Sequence, residues 1–175
     1  MPQSDKLDAI ALLKADHRKV EELFEKFEKA KGASAKKALA LEICTELSIH
    51  ATIEEEIFYP ACKGKVEEDH MDEAYVEHDG AKVLIAELAN SSPDADFYDA
   101  KMKVLSEEIK HHVKEEEKRG GIFTEARKAD LDLDALGEQL QSRKSELMTQ
   151  FEKKLPAPVT RTMKAPPLEQ GRPAA

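Results

Sequence analysis

The chain contains no tryptophan, only 5% aromatic residues and only 7 glycines in 175 positions. The alternation of Val, Thr and Tyr that marks strands is missing throughout, which excludes a β-rich architecture. No apolar run approaches the ~18 residues of a membrane span. There are just 2 cysteines, Cys44 and Cys62. On one helix they would lie roughly 27 Å apart, too far for a disulfide. The stretch from Met1 to Lys14 lacks the basic-then-apolar pattern of a signal peptide. With reduced thiols, this leads us to expect a cytoplasmic location. Positive charge is also short. The 27 Lys and Arg against 36 Asp and Glu give a formal net charge of −9. Such a surface repels phosphate backbones, so neither a nucleic-acid nor a membrane partner is expected.

What the chain does have is helix-forming material: Ala, Leu, Glu and Lys are abundant, with 41% hydrophobic and 36% charged residues. Four amphipathic segments stand out. The first starts near Ser4 or Asp5 and runs to Gly32, with the stripe Ile10, Leu13, Val20, Phe24, Phe27. The second runs from Ser34 to Pro60, with Leu39, Ile43, Leu47, Ile53 and Ile57. The third covers about Glu67 to Asn90, with Met71, Tyr75, Ile85 and Leu88. The fourth follows the helix-start signal Ser92-Pro93-Asp94 and carries Tyr98, Met102, Leu105 and Ile109, ending at Gly120-Gly121. A shorter pair covers Ile122 to Ala129 and Leu133 to Phe151. The segment from Leu155 to Ala175 holds five of the 8 prolines and no periodic pattern. It reads as an extended or disordered tail, dispensable for metal binding. Four helices of similar length with short loops predict an all-α, up-down-up-down four-helix bundle with an additional C-terminal helix and a tail. The expected divisions are 1–130 for the bundle, 131–154 for the helical extension and 155–175 for the Pro-rich tail.

The apolar stripes are interrupted. His17, His50, His78 and His112 each stand where a core residue belongs, one per helix. Glu54 and Glu116 follow His50 and His112 by four residues, which places each pair on one helical face. The stretches from His17 to His50 and from His78 to His112 are almost equal, so two helical hairpins carry the same constellation. A single inward His is usually a hydrogen-bonded core residue. Four of them with two inward Glu, at one level of four helices, are not accounted for in that way. Buried carboxylates facing each other are costly, and a cation between them removes the cost. Without metal, the two carboxyls are expected to take up protons. Four imidazoles and two carboxylates suit iron, manganese or zinc. Two bridging carboxylates imply a dinuclear site. His70 and His111 fall off the stripes, and Glu55, Glu56, Glu115 and Glu117 read as solvated faces.

These residues resemble the hemerythrin-type HHE cation-binding family. The likeness covers about Leu7 to Ala126. It rests on Asp16-His17, on His50-x-x-x-Glu54-Glu55 with Pro60 beyond it, on Glu77-His78, and on His112-Val-Lys-Glu-Glu116-Glu117. It implies a left-handed bundle holding two iron ions in an oxo- or hydroxo-bridged di-iron centre, with His17, His50, Glu54, His78, His112 and Glu116 as the metal ligands. Oxygen-carrying members have a fifth His one turn before the third-helix ligand, where this chain has Ala74, and an Asp bridge where it has Glu116. The resemblance therefore implies chemistry with dioxygen, peroxide or nitric oxide rather than oxygen transport. Three functions stay open here: a di-iron enzyme of catalase or peroxidase type that decomposes peroxide, a protein that binds oxygen reversibly or senses oxygen or iron, and a structural metal site.

Overall fold

A computed structural model describes residues 7–164, and among them there is no β-strand. The helices are α1 (Ala9–Lys29), α2 (Ala33–Ile53), α3 (Tyr59–Cys62), α4 (Glu68–Ala89), α5 (Tyr98–Glu117), α6 (Ile122–Lys128) and α7 (Leu133–Phe151). One π-helical turn, Glu54–Phe58, joins α2 to α3. The long helices α1, α2, α4 and α5 pack in a closed ring, each on the next and α5 back on α1. This is the expected up-down-up-down bundle. Helix α7 lies outside the ring, along α1 and α2.

The ends of the helices follow local chemistry. The caps expected near Ser4 lie outside the described residues. Helix α1 begins instead after Asp8, whose side chain accepts the Ala11 N–H at 2.8 Å. Residues Ser92–Phe97 form turns rather than the first turn of α5, because Phe97 takes a left-handed conformation (φ 65°) that a helix cannot contain. At the far end of α5 the chain doubles back through Gly120 and Gly121. A side chain at Gly121 would sit 2.3 Å from the Glu115 carbonyl oxygen, so only glycine allows this close return.

The apolar stripes are buried as two clusters. One holds Ile10, Leu13, Ile49, Ile53, Phe58 and Phe123, and is capped by Leu140 and Leu147 of α7. The other holds Val20, Phe24, Ile43, Ile85, Met102 and Leu105. A layer of buried polar side chains lies between them, contributed by His17, His50, Glu54, His78, His112 and Glu116. Both cysteines are free and buried, and burial pushes their thiols up to about 12, which makes them poor nucleophiles. Among the described residues, no helix is long and apolar enough to cross a membrane.

Of the expected tail, residues 155–164 are extended, as read from their composition, but they are not free of the bundle. Leu155 packs on the second cluster and Val159 to Met163 are hydrogen-bonded to α4. Residues 165–175 lie outside the described residues.

Candidate metal centre

The site sits at mid-height of the bundle, and its register is set by a local break in α2. Pro60 has no N–H to donate to the carbonyl four residues before it. The turn ahead of it widens, and the Tyr59 N–H bonds the Glu54 carbonyl five residues back. Helix α2 up to Ile53 keeps His50 in line with Leu47 and Ile43. The π turn then swings Glu54, Glu55 and Tyr59 inward together, and all three are buried.

The structure brings all six side chains singled out from the sequence into one cluster. His17 and His50 face each other, Nε2 to Nε2, at 3.1 Å. His78 and His112 do the same at 3.2 Å. Glu54 lies between the pairs, with Oε1 3.2 Å from His50 Nε2 and Oε2 3.2 Å from His78 Nε2. Glu116 closes the other side, with Oε2 3.3 Å from His17 Nε2 and 3.5 Å from His112 Nε2. His17, His50, Glu54 and Glu116 thus offer one set of donor atoms within 4.8 Å of one another, and Glu54, His78 and His112 offer a second.

The outer nitrogen of each imidazole is tied to a carboxylate. His17 Nδ1 meets Glu117 at 2.7 Å, His50 Nδ1 meets Asp16 at 3.5 Å, His78 Nδ1 meets Glu55 at 3.0 Å and His112 Nδ1 meets Glu77 at 2.6 Å. A carboxylate on Nδ1 keeps the proton there and turns the Nε2 lone pair inward. The cluster interior is therefore lined by acceptors. Glu54 Oε1 and Glu116 Oε2 are buried with no hydrogen-bond partner. A set of imidazole and carboxylate acceptors with two buried oxygens left unpartnered suits a hard or borderline cation, so these residues fit a metal.

Four features of the site were missed by the sequence reading. Glu55, taken as solvated, is buried and holds His78. Glu117, also taken as solvated, holds His17 while only partly exposed. Asp16 and Glu77 show in the sequence only as neighbours of His17 and His78. Nothing in the sequence pattern marks Tyr59. Its hydroxyl donates to Glu116 Oε1 at 2.7 Å and lies 3.1 Å from Glu54 Oε2 and 3.3 Å from His78 Nε2. Burial and then the charges of Glu116 and Glu54 raise the phenol well above its ordinary value, so it stays protonated. His111 is exposed and pairs with Glu77, and His70 sits at the surface near Glu125.

Beside the imidazoles lies a small cavity of about 30 Å³, walled mainly by Val20, Leu47, Ala81, Ile85, Ile109 and Val113. One water needs roughly 10–15 Å³ by the same measure, so the space admits a molecule of a few atoms.

The profile of the Hemerythrin HHE cation binding domain matches residues 8–119. A DNA nickase from Nostoc sp. is 28% identical over 106 residues, which is 61% of this chain and 30% of that protein. The chain thus spans less than a third of the nickase. The crystal structure of a hemerythrin HHE cation binding domain-containing protein from Mycobacterium kansasii superposes with a TM-score of 0.72. It covers 85% of this chain and 91% of the other at 24% identity, a likeness of fold.

Proposed function

The chain belongs to the hemerythrin HHE cation-binding family, a metal-binding domain, and we propose that it is a non-haem di-iron protein that decomposes hydrogen peroxide. On this reading His17, His50, Glu54, His78, His112 and Glu116 would hold the two irons. The observation that carries the reading is the pair of donor sets joined through Glu54, next to a cavity of about 30 Å³ that takes a molecule of a few atoms.

Two bound irons would supply the reversible uptake of two electrons that disproportionation of two H2O2 to O2 and two H2O needs. The chain's own residues do the rest. Glu117, Asp16, Glu55 and Glu77 fix the imidazoles so that Nε2 faces inward. Tyr59 holds a proton at Oη against Glu116, where a leaving oxygen needs one. The apolar cavity wall keeps bulk water and larger reductants out. The apolar lining also favours a second reading, reversible binding of a neutral diatomic such as dioxygen or nitric oxide. The nickase's action on DNA is not part of the proposal: the shared stretch is 30% of that protein, and the net charge here is −9.

Metal analysis of freshly purified protein, followed by oxygen release from added peroxide without a reductant, tests the proposal. Two irons per chain with steady oxygen release is the expected result. Two irons with no release, and an optical band that follows oxygen pressure reversibly, would move the assignment to the second reading. A zinc content with no iron uptake would overturn both.

A further inference from the structure

The C-terminal segment lies outside the residues matched by the family, yet it reaches the site. Asp79 follows His78 directly in α4, is fully buried, and faces the strap 155–163 instead of the bundle core. Its carboxylate accepts the backbone N–H groups of Arg161 at 3.0 Å, Thr162 at 2.6 Å and Met163 at 2.9 Å, and the Thr162 hydroxyl at 2.7 Å. Lys82, one turn further along α4, donates to the Val159 carbonyl at 2.8 Å. These contacts fix the strap at Arg161, whose guanidinium pairs with the buried carboxylate of Glu55. Glu55 in turn meets His78 Nδ1 at 3.0 Å and Lys82 at 2.7 Å. A continuous path therefore runs from the strap through Glu55 to an imidazole of the centre. A parallel path exists on the other pair, where Lys144 of α7 binds Asp16, the carboxylate facing His50.

We propose that the strap is a working part of the metal centre, and that Arg161 is a positioning residue which, latched by Asp79, sets how strongly Glu55 polarises His78. The physical argument is one of charge. A carboxylate hydrogen-bonded to Nδ1–H makes the imidazole a stronger electron donor at Nε2. A cation on that carboxylate draws its charge away and weakens the effect. Glu55 is 4% exposed, so little water screens it and the guanidinium matters more than at the surface. Asp79 makes the arrangement durable, since letting the strap go would give up the four hydrogen bonds that its carboxylate accepts from Arg161, Thr162 and Met163.

The inference rests on the di-iron reading and is tested on the full chain loaded with iron, by the ferric/ferrous midpoint potential. Arg161→Gln leaves Glu55 less compensated and His78 more basic, which favours the ferric state, so its midpoint is expected below that of the wild type. Arg161→Lys, which keeps the charge, stays close to the wild-type midpoint. Asp79→Asn frees the strap, lowers the midpoint in the same direction and opens residues 155–163 to protease. The double variant Arg161→Gln with Asp79→Asn shifts no further than the larger single change, because both act through one contact. Arg127→Gln, which loses only the surface pair with Asp8, stays at the wild-type value. An Arg161→Gln midpoint equal to wild type, with unchanged helicity and iron content, overturns the inference while leaving the di-iron reading in place. So does full additivity of the two changes. A wild-type chain that takes up no redox-active iron overturns the reading itself, and this inference with it.

Discussion

The Nε2 atoms of His17 and His50 lie 3.1 Å apart, each imidazole having its Nδ1 turned to its own carboxylate, Glu117 for one and Asp16 for the other. Two lone pairs cannot share that space without a positive charge between them. In the metal-free protein the charge is a proton. Burial pushes His50 down, but the Glu54 carboxylate beside it outweighs this and raises the imidazole to about 10. His78 is likewise raised to about 9 against its burial, by hydrogen bonds with Glu54 and Glu55. Glu54 itself is held well below its ordinary range: burial raises it, and the two imidazoles more than reverse that. The expectation that the carboxyls would take up the protons is therefore corrected for Glu54. There the protons sit on nitrogen, because each Glu54 oxygen has an imidazole within reach.

The pH dependence of the metal-free fold follows. His50 and His78 bind protons more tightly folded than unfolded, so their stabilisation is complete below about pH 6.5. It is lost as pH climbs through 9 and 10. The melting temperature of metal-free protein is expected to fall from pH 6.5 to pH 9.5. Metal loading, which displaces these protons, stabilises more at the higher pH. Calorimetry of both forms at the two pH values checks this, and a metal-free melting temperature that rises with pH contradicts it.

Carboxylate substitutions should grade by contact with the cluster. Glu54→Ala and Glu116→Ala are expected to leave less than one iron per chain. Glu55→Gln and Glu117→Gln, which meet the cluster at the outer nitrogens of His78 and His17, should keep the stoichiometry and weaken affinity by about 10- to 100-fold. The Glu55 effect should be the larger, since Glu117 is partly exposed. Titration against a competing chelator separates the two classes.

Tyr59→Phe removes one oxygen from the middle of the site and little else. Iron content is expected to stay at two per chain, while peroxide decomposition drops by about 10²-fold, the usual worth of a positioned proton donor. Initial rates of oxygen release measure it, and an unchanged rate removes Tyr59 from the chemistry.

Gly137→Ala probes how α7 is docked. A Cβ there would meet the Leu7 carbonyl at 2.5 Å and the Ala9 nitrogen at 3.0 Å, both backbone atoms that cannot turn aside. A loss of about 1–3 kcal/mol in unfolding free energy is expected, read by chemical denaturation. No loss would mean that α7 stands off from α1 in solution.

The helices and the six inward residues were legible because a 3.6-residue period reports which face is buried. His17 is conspicuous only because Leu13 and Val20 flank it. The same logic failed one residue beyond Glu54. A regular helix would carry Glu55 out to solvent, and the π turn ahead of Pro60 carries it in, along with Tyr59. Proline's missing N–H was visible in the sequence, and was the one signal that could have warned of the wider turn. Asp16, Glu77 and Glu117 escaped notice as working residues because they sit at the edge of the stripes, where acidic residues are common. Arg161 lies in a Pro-rich stretch with no period, so nothing local tied it to a carboxylate 106 positions earlier.

The polar layer also has a mechanical side. It cuts the apolar interior into two blocks, one bolted to α6 and α7, the other closed around Phe24, Tyr98 and Met102. Helices α1, α2 and α4 run through both. With only protons at the waist, each block opens on its own, and amide exchange should separate them into two units of unequal protection. An ion gripped by four helices at that level acts as a rivet: neither half can loosen without tearing the same ligands, and the two units should merge into one.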